Sequence, residues 1–318
     1  MDGWACVCSL SRLPGFAVLS STDNFGHTEM SVTSPSISLH GAQLQGLQWL
    51  VAGDLALGVD VAKGGRIVSF SRNGEEILTP ASVHPDNYGS TLWDSPQCTW
   101  NWPPRPVLDT QPYRASREGD TLVLESGVDP SGLQFTKRIR AEPSADRIEL
   151  DYRITNRGDT PVRVAPWEVT RTDGGLSFFP FEAAEGLPQT DLHPVIKQGG
   201  ICWYPFAPAV LEKGRKLFEL GREGWLAHVG RGQRLLFVKT FPVTPLESFA
   251  PGQAAIEIWG HDDALYVELE NHGPYVQLAP GEALSYPVRW YLEPLPAELR
   301  VGVGEPGLVA LARRAAAR

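Results

Sequence analysis

Between Gln48 and Leu292 a succession of short β-patterned runs is never broken by a stretch of helical period, and this restricts the chain to an all-β architecture. Leu55–Val61 and Arg66–Phe70 are joined by Lys63-Gly64-Gly65, and Asn73-Gly74 forms a two-residue turn into Glu76-Ile77-Leu78. Thr121–Leu124, Leu133–Ile139 and Arg147–Thr155 follow. In the last of these, Ile148, Leu150, Tyr152 and Ile154 alternate with Arg147, Glu149, Asp151 and Arg153, the mark of a strand with one wet face. Asn156-Arg157-Gly158-Asp159 turns into the run Pro161–Thr172. A Pro-rich and Gly-rich region, Pro180–Pro208, reads as a long loop. Strand patterns then resume at Lys216–Leu220, Trp225–Val229, Leu235–Thr240, Ala254–Trp259, Leu265–Asn271 and Leu284–Leu292. So many strands without helices between them specify a large antiparallel sandwich. No linker composition divides them, so one domain is expected over residues 41–300. Residues 1–40 are expected to be poorly structured, and the Ala- and Arg-rich tail within 301–318 to be helical.

The stretch Asn87–Tyr113 departs from the strand pattern. It carries Trp93, Trp100 and Trp102 among prolines, glycines and asparagines, and reads as a long aromatic loop. Loop aromatics either bury themselves or present a flat apolar face to a ligand. Here Asn87, Ser90, Thr91, Asp94, Gln97 and Asn101 put amide, hydroxyl and carboxylate groups among the rings. A saccharide uses both: its C–H faces stack on indole and its hydroxyls pair with the polar groups.

A net charge of −9 and a pI near 5.3 argue against nucleic acid and anionic membrane surfaces as partners. No apolar run approaches the ~20 residues of a spanning helix. Cys6, Cys8, Cys98 and Cys202 do not make a disulfide framework, and the N-terminal residues lack the basic region of a secretory signal, so a cytoplasmic location is expected.

Residues two apart in a strand share a face, which singles out polar residues aligned with apolar ones. Lys137 aligns with Leu133, Phe135 and Ile139, and either snorkels at a sheet edge or projects into a polar pocket. Glu168 continues the face of Val162, Val164 and Pro166, and a buried carboxylate needs a partner. In Leu265–Asn271, Tyr266, Glu268 and Glu270 lie opposite Leu265, Val267 and Leu269. Two carboxylates on one face are a solvated edge or, in a cleft, a pair whose repulsion raises one toward general-base range. No HxH, HExxH or CxxC spacing occurs, so neither zinc nor any other metal or cofactor is assigned, with calcium through Asp side chains left open. Gly64-Gly65 is too short for a phosphate loop, and no GxSxG is present.

The run Lys63–Phe70 early, and Val267-Glu268-Leu269-Glu270 followed by Leu278-Ala279-Pro280-Gly281-Glu282 and Leu284–Leu292 late, resemble the two ends of the galactose-mutarotase-like (aldose 1-epimerase) superfamily. Asn87–Trp93 and Pro166-Trp167-Glu168 resemble an uncharacterised bacterial family within it. The resemblance covers about residues 45–295. It implies a β-supersandwich of the galactose mutarotase type, a carbohydrate-active protein, and a small saccharide as partner. It also places Glu268 where the epimerases keep the base that takes the anomeric proton. Their acid histidine is absent, because the stretch past Asn156–Asp159 offers Trp167-Glu168 instead. Glu168 and Glu268 are therefore the expected acid and base, and mutarotation of simple aldoses is expected to be weak. Asn87, Trp93, Trp100, Trp102, Lys137, Trp167, Arg171 and Glu270 are the expected substrate-binding residues. The alternative is a non-catalytic carbohydrate-binding protein of the same fold.

Overall fold

The computed structural model describes residues 46–206, 215–261, 263 and 265–318, so the expectation of a poorly structured segment at 1–40 falls outside the described residues. Among the described residues twenty strands form one hydrogen-bonded network that folds into two packed layers. The first layer runs, in spatial order, β1 (Gln48–Ala52), β2 (Leu55–Asp60), β3 (Arg66–Arg72), β5 (Ser90–Ser95), β10 (Val162–Thr172), β18 (Val267–His272), β17 (Ile256–Gly260) and β14 (Arg215–Gly221), with the short β4 (Glu75–Glu76) hairpinned on β3. The second runs β6 (Arg114–Glu118), β7 (Thr121–Glu125), β8 (Leu133–Glu142), β9 (Arg147–Asn156), β20 (Ala283–Pro294), β16 (Leu235–Thr240), β15 (Trp225–Gly230), β11 (Gly175–Glu182), β13 (Ile201–Pro205) and β12 (Ile196–Gln198). Every pairing between these strands is antiparallel, and β19 (Val276–Leu278) adds to β10. This is the large antiparallel β architecture that the strand pattern implies.

The main core lies between the layers, with Phe70, Phe135, Trp225, Phe237 and Trp290 among its fully buried side chains. The α-helices of the described residues are α1 (Pro106–Asp109), and α2 (Pro306–Ala316), which buries Leu308, Val309, Ala312 and Ala315 and packs mainly against β16. Among the described residues no helix is long and apolar enough to cross a membrane. Cys202 is free and buried, whereas Cys98 is disulfide-bonded, a bond that the cysteine spacing does not announce.

Two stretches read as loops contain strands. Within Asn87–Tyr113, Ser90–Ser95 forms β5, all six residues buried, between β3 and β10. Thr91-Leu92-Trp93 is a favourable strand core once neighbours exist on both sides, and Pro96, with no N–H to donate, follows its last residue. Within Pro180–Pro208, Trp203 and Tyr204 lie buried in β13. In both stretches tertiary pairing overrides a composition rich in Pro and Gly.

Candidate functional site

Register on the first layer decides which side chains meet. β10 sits between β5 and β18, with Trp167 opposite both Trp93 and His272, Val169 opposite Thr91 and Glu270, and Arg171 opposite Glu268. β17 sets Glu257 against Glu270 and Trp259 against Glu268, and β14 sets Lys216 against Trp259. Directly opposed antiparallel residues share a face, so all of these project from one side of the sheet. Glu168 projects from the other side, where Lys239 of β16 and Tyr152 of β9 meet it across the core. The first side is therefore the outer face.

On that face Trp93, Trp167 and Val169 form an apolar cluster separate from the main core, with Trp100 against it. Trp93 meets Trp167, Trp100 and Trp102 edge-on at 5.0, 5.9 and 6.0 Å between ring centroids. Exposure rises along the loop: Trp93 is 5% exposed and Trp102 38%. The wall is pinned by its polar edges. Trp93 Nε1 donates to Asp109 Oδ1 (2.9 Å), Trp100 Nε1 to the Asp94 carbonyl (2.8 Å), and Trp167 Nε1 to Glu270 Oε2 (2.6 Å). Asp109 also accepts from Thr91 (2.7 Å) and Arg66 (2.9 Å). Burial raises its carboxyl, but Arg66, Thr91 and Trp93 outweigh that and hold it below its ordinary value.

Beside the wall, Arg171 Nε donates to Glu268 Oε1 at 2.8 Å while its guanidinium lies 5.0 Å from the Trp93 ring. Glu268 keeps 8% exposure, whereas Glu257 and Glu270 are fully buried around Lys216, whose Nζ lies 2.6 Å from Glu257 Oε2 and 2.9 Å from Glu270 Oε2. Burial raises the Glu270 carboxyl above its ordinary range although Lys216 pulls it down; Glu257, against the same burial, is held low by Lys216 and His272. Of the two readings of Glu268 and Glu270, a solvated edge or an enclosed pair, the burial fits the enclosed one.

A second group flanks Glu268. Tyr266 stands two residues before it, stacked obliquely on His261 (4.7 Å), and His84 meets both rings edge-on at 5.9 and 5.6 Å. His84 Nδ1 accepts the amides of Asp86 (3.2 Å) and Asn87 (2.9 Å), so the neutral ring carries its proton on Nε2. Burial, then the neighbouring His261, lowers its pKa. Burial pushes the Tyr266 hydroxyl up, and Asn87 and Arg171 at that hydroxyl oppose the shift.

The structure thus brings Asn87, Trp93, Trp100, Trp102, Trp167, Arg171, Glu268 and Glu270 to one face. It separates two residues from them. Glu168 is fully buried on the inner face, with Oε2 2.7 Å from Lys239 Nζ and Oε1 accepting from Tyr152 at 2.7 Å, so it cannot share a ligand with Glu268. Lys137 neither snorkels nor reaches the outer face: at 1% exposure it donates to the carbonyls of Gly64 (2.8 Å) and Gly65 (3.0 Å) between the layers. Sequence reasoning missed Lys216, Glu257, His272, His84 and Asp109, which are scattered singly over five elements and turns. Only the period-two alignment of Glu257 with Trp259, and of Glu270 with His272, held a trace of them.

The Lys137 placement has a pH signature. Burial lowers its pKa from 10.5 to about 7. The unfolded chain then holds a proton that the folded state lacks between these values, so the contribution to stability is present above the unfolded pKa and is lost as pH falls through the folded one. Wild type should gain stability relative to Lys137→Met as pH rises from about 7 toward 10, by at most about 1.4 kcal/mol per pH unit. Paired thermal melts across that range test it, and parallel curves would refute it.

A family model described as a domain of unknown function, DUF4380, matches residues 94–293. Comparison with curated proteins finds no match. Among solved structures, the chain is similar to a putative aldose 1-epimerase from Escherichia coli K12, with TM-score 0.52 and 13% identity over 78% of this chain and 99% of that one. It is also similar to a galactose mutarotase-like protein from Lactobacillus casei (TM-score 0.55, 11% identity, 78% and 100% covered). A putative aldose 1-epimerase from Klebsiella pneumoniae gives TM-score 0.55 and 12% identity, with 88% and 85% covered. At these identities the likeness is one of fold, while the family match spans well over half of the sequence: the chain belongs to the DUF4380 family, on a galactose mutarotase-like fold.

Proposed function

We propose that the protein is carbohydrate-active and holds a saccharide against the tryptophan wall on the outer face of the first layer, with Glu268 as the proton acceptor. One observation carries this: four tryptophans pack outside the main core, beside a carboxylate that keeps exposure while its neighbours Glu257 and Glu270 are sealed. The solved relatives named as aldose 1-epimerases support the substrate class. In the epimerase-like reaction Glu268 takes the proton of the anomeric hydroxyl, the ring oxygen receives one, and the C1–O bond opens to an aldehyde that recloses on either face. With Glu168 on the far side of the sheet, the imidazoles of His84 and His261 are the groups suited to supply the acid.

A saccharide panel followed by thermal shift tests the binding half. Trp102→Ala, at the exposed end of the wall, should weaken the best ligand several-fold, as a stacking contact of about 0.5–1.5 kcal/mol requires, and leave the melting point unchanged. Exchange NMR on that ligand tests the chemistry, and turnover on simple aldoses should be slow because β10 carries no histidine. Binding without any exchange favours the non-catalytic alternative. An unshifted melting point across neutral, acidic and amino sugars would overturn the reading.

A further inference from the structure

Glu257 and Glu270 stand opposite one another on β17 and β18, and His272 follows Glu270 on the same face. One ligand atom from each lies within 4.8 Å of the others. All three side chains are sealed, at 0%, 0% and 1% exposure. Counting charge exposes a deficit: two carboxylates share the ammonium of Lys216, and His272, with Nε2 3.3 Å from Glu257 Oε1, adds a charge only when it is protonated. Hydrogen bonding shows a second deficit. Glu257 Oε1 accepts from the Ala254 amide (2.8 Å) and Glu270 Oε2 from Trp167, but Glu270 Oε1 and both ring nitrogens of His272 make no hydrogen bond, although His272 Nε2 lies 3.3 Å from Glu257 Oε1. A buried polar atom left dry and unpaired is costly. Lys216 is the movable member of the group. Its side chain is 20% exposed, it enters from the start of β14, and its stem is long enough to withdraw the ammonium along the surface.

We propose that Glu257, Glu270 and His272 form a site for one divalent transition-metal ion, which takes the place of the Lys216 ammonium. A charge of +2 balances the two carboxylates, and the ion would occupy the unpaired carboxylate oxygen and a ring nitrogen. Two carboxylates with one imidazole suit Zn²⁺ or Mn²⁺ rather than Ca²⁺, which takes six to eight oxygens. Paired strands hold the ligands rigid, and Trp167 hydrogen-bonds Glu270 and stacks on His272 at 5.2 Å, so an ion here would also brace the tryptophan wall. The site is independent of the saccharide reading and is tested without any sugar.

The full chain, stripped with EDTA and dialysed, is titrated calorimetrically with ZnCl₂ and, separately, MnCl₂ and CaCl₂. The expected result is one Zn²⁺ per chain, with CaCl₂ giving no heat. His272→Gln should weaken Zn²⁺ by about tenfold or more, and Glu257→Gln gives the same readout should that variant fail to fold. Lys216→Met removes the competitor and should tighten Zn²⁺ by about tenfold or more, the outcome a structural ion-pair network does not give. The proposal is overturned if neither wild type nor Lys216→Met binds Zn²⁺ or Mn²⁺ below about 1 mM. It is equally overturned if binding survives His272→Gln but is lost in His84→Ala, which would assign the ion to the imidazole pair at the surface.

Discussion

Glu268→Gln is expected to lower turnover on the saccharide that the panel identifies by about 10²–10⁴, the usual contribution of a positioned general base, while ligand affinity changes little. The substitution keeps an oxygen for Arg171 Nε, which now donates to Glu268 Oε1 at 2.8 Å, so the guanidinium stays in place over Trp93. What is removed is the negative charge that accepts a proton. Exchange NMR separates the two effects, since ligand broadening reports binding and cross-peaks report interconversion. Glu270→Gln is the control: that carboxyl is sealed beneath Trp167 and Lys216, so the change should leave turnover far less affected. Equal turnover in Glu268→Gln and wild type would remove Glu268 from the chemistry and leave the face a binding surface.

The second large effect is on stability and concerns the glutamate on the inner face. Lys239→Met leaves Glu168 fully buried with its charge unmatched, and should destabilise the fold by about 3–5 kcal/mol, lowering the melting temperature on the order of 10 °C. Lys239 donates as well to Thr170 Oγ1 (2.9 Å) and to the Leu269 carbonyl (3.1 Å), and both acceptors lose that partner. The double variant Glu168→Gln, Lys239→Met should recover most of the loss, because an uncharged amide still accepts from Tyr152, 2.7 Å away, without a charge to match. Differential scanning calorimetry on wild type, the two single variants Glu168→Gln and Lys239→Met, and the double variant gives the coupling. Equal melting points for Lys239→Met and the double variant would mean that the pair carries no net interaction, and the inner-face role of Glu168 would fail with it.

Much of the fold and half of the site can be read from the chain because period two is a local property. Alternation in Arg147–Asn156 and Leu133–Glu142 sorts inner from outer residues without any partner strand. The same parity puts Trp167 and Arg171 on one face of β10 and Glu168 on the other, and Glu268 with Glu270 and His272 on one face of β18. Parity alone does not say which face is covered, nor which residue of one strand lies opposite which of another. Those follow from pairing across about a hundred residues of sequence, Arg171 to Glu268 and Trp167 to His272, and from the layer that closes over Glu168. A carboxylate on a strand therefore has two fates with the same local sequence: on the inner face burial without water requires Lys239, and on the outer face it can meet a ligand. The chain by itself determined the antiparallel sandwich and the company of tryptophans with polar groups. Only the tertiary structure decided that Ser90–Ser95 is a central strand, that Glu168 and Lys137 belong to the core, and that Lys216, Glu257 and His272 converge, because register and layer packing are set by contacts far apart in sequence.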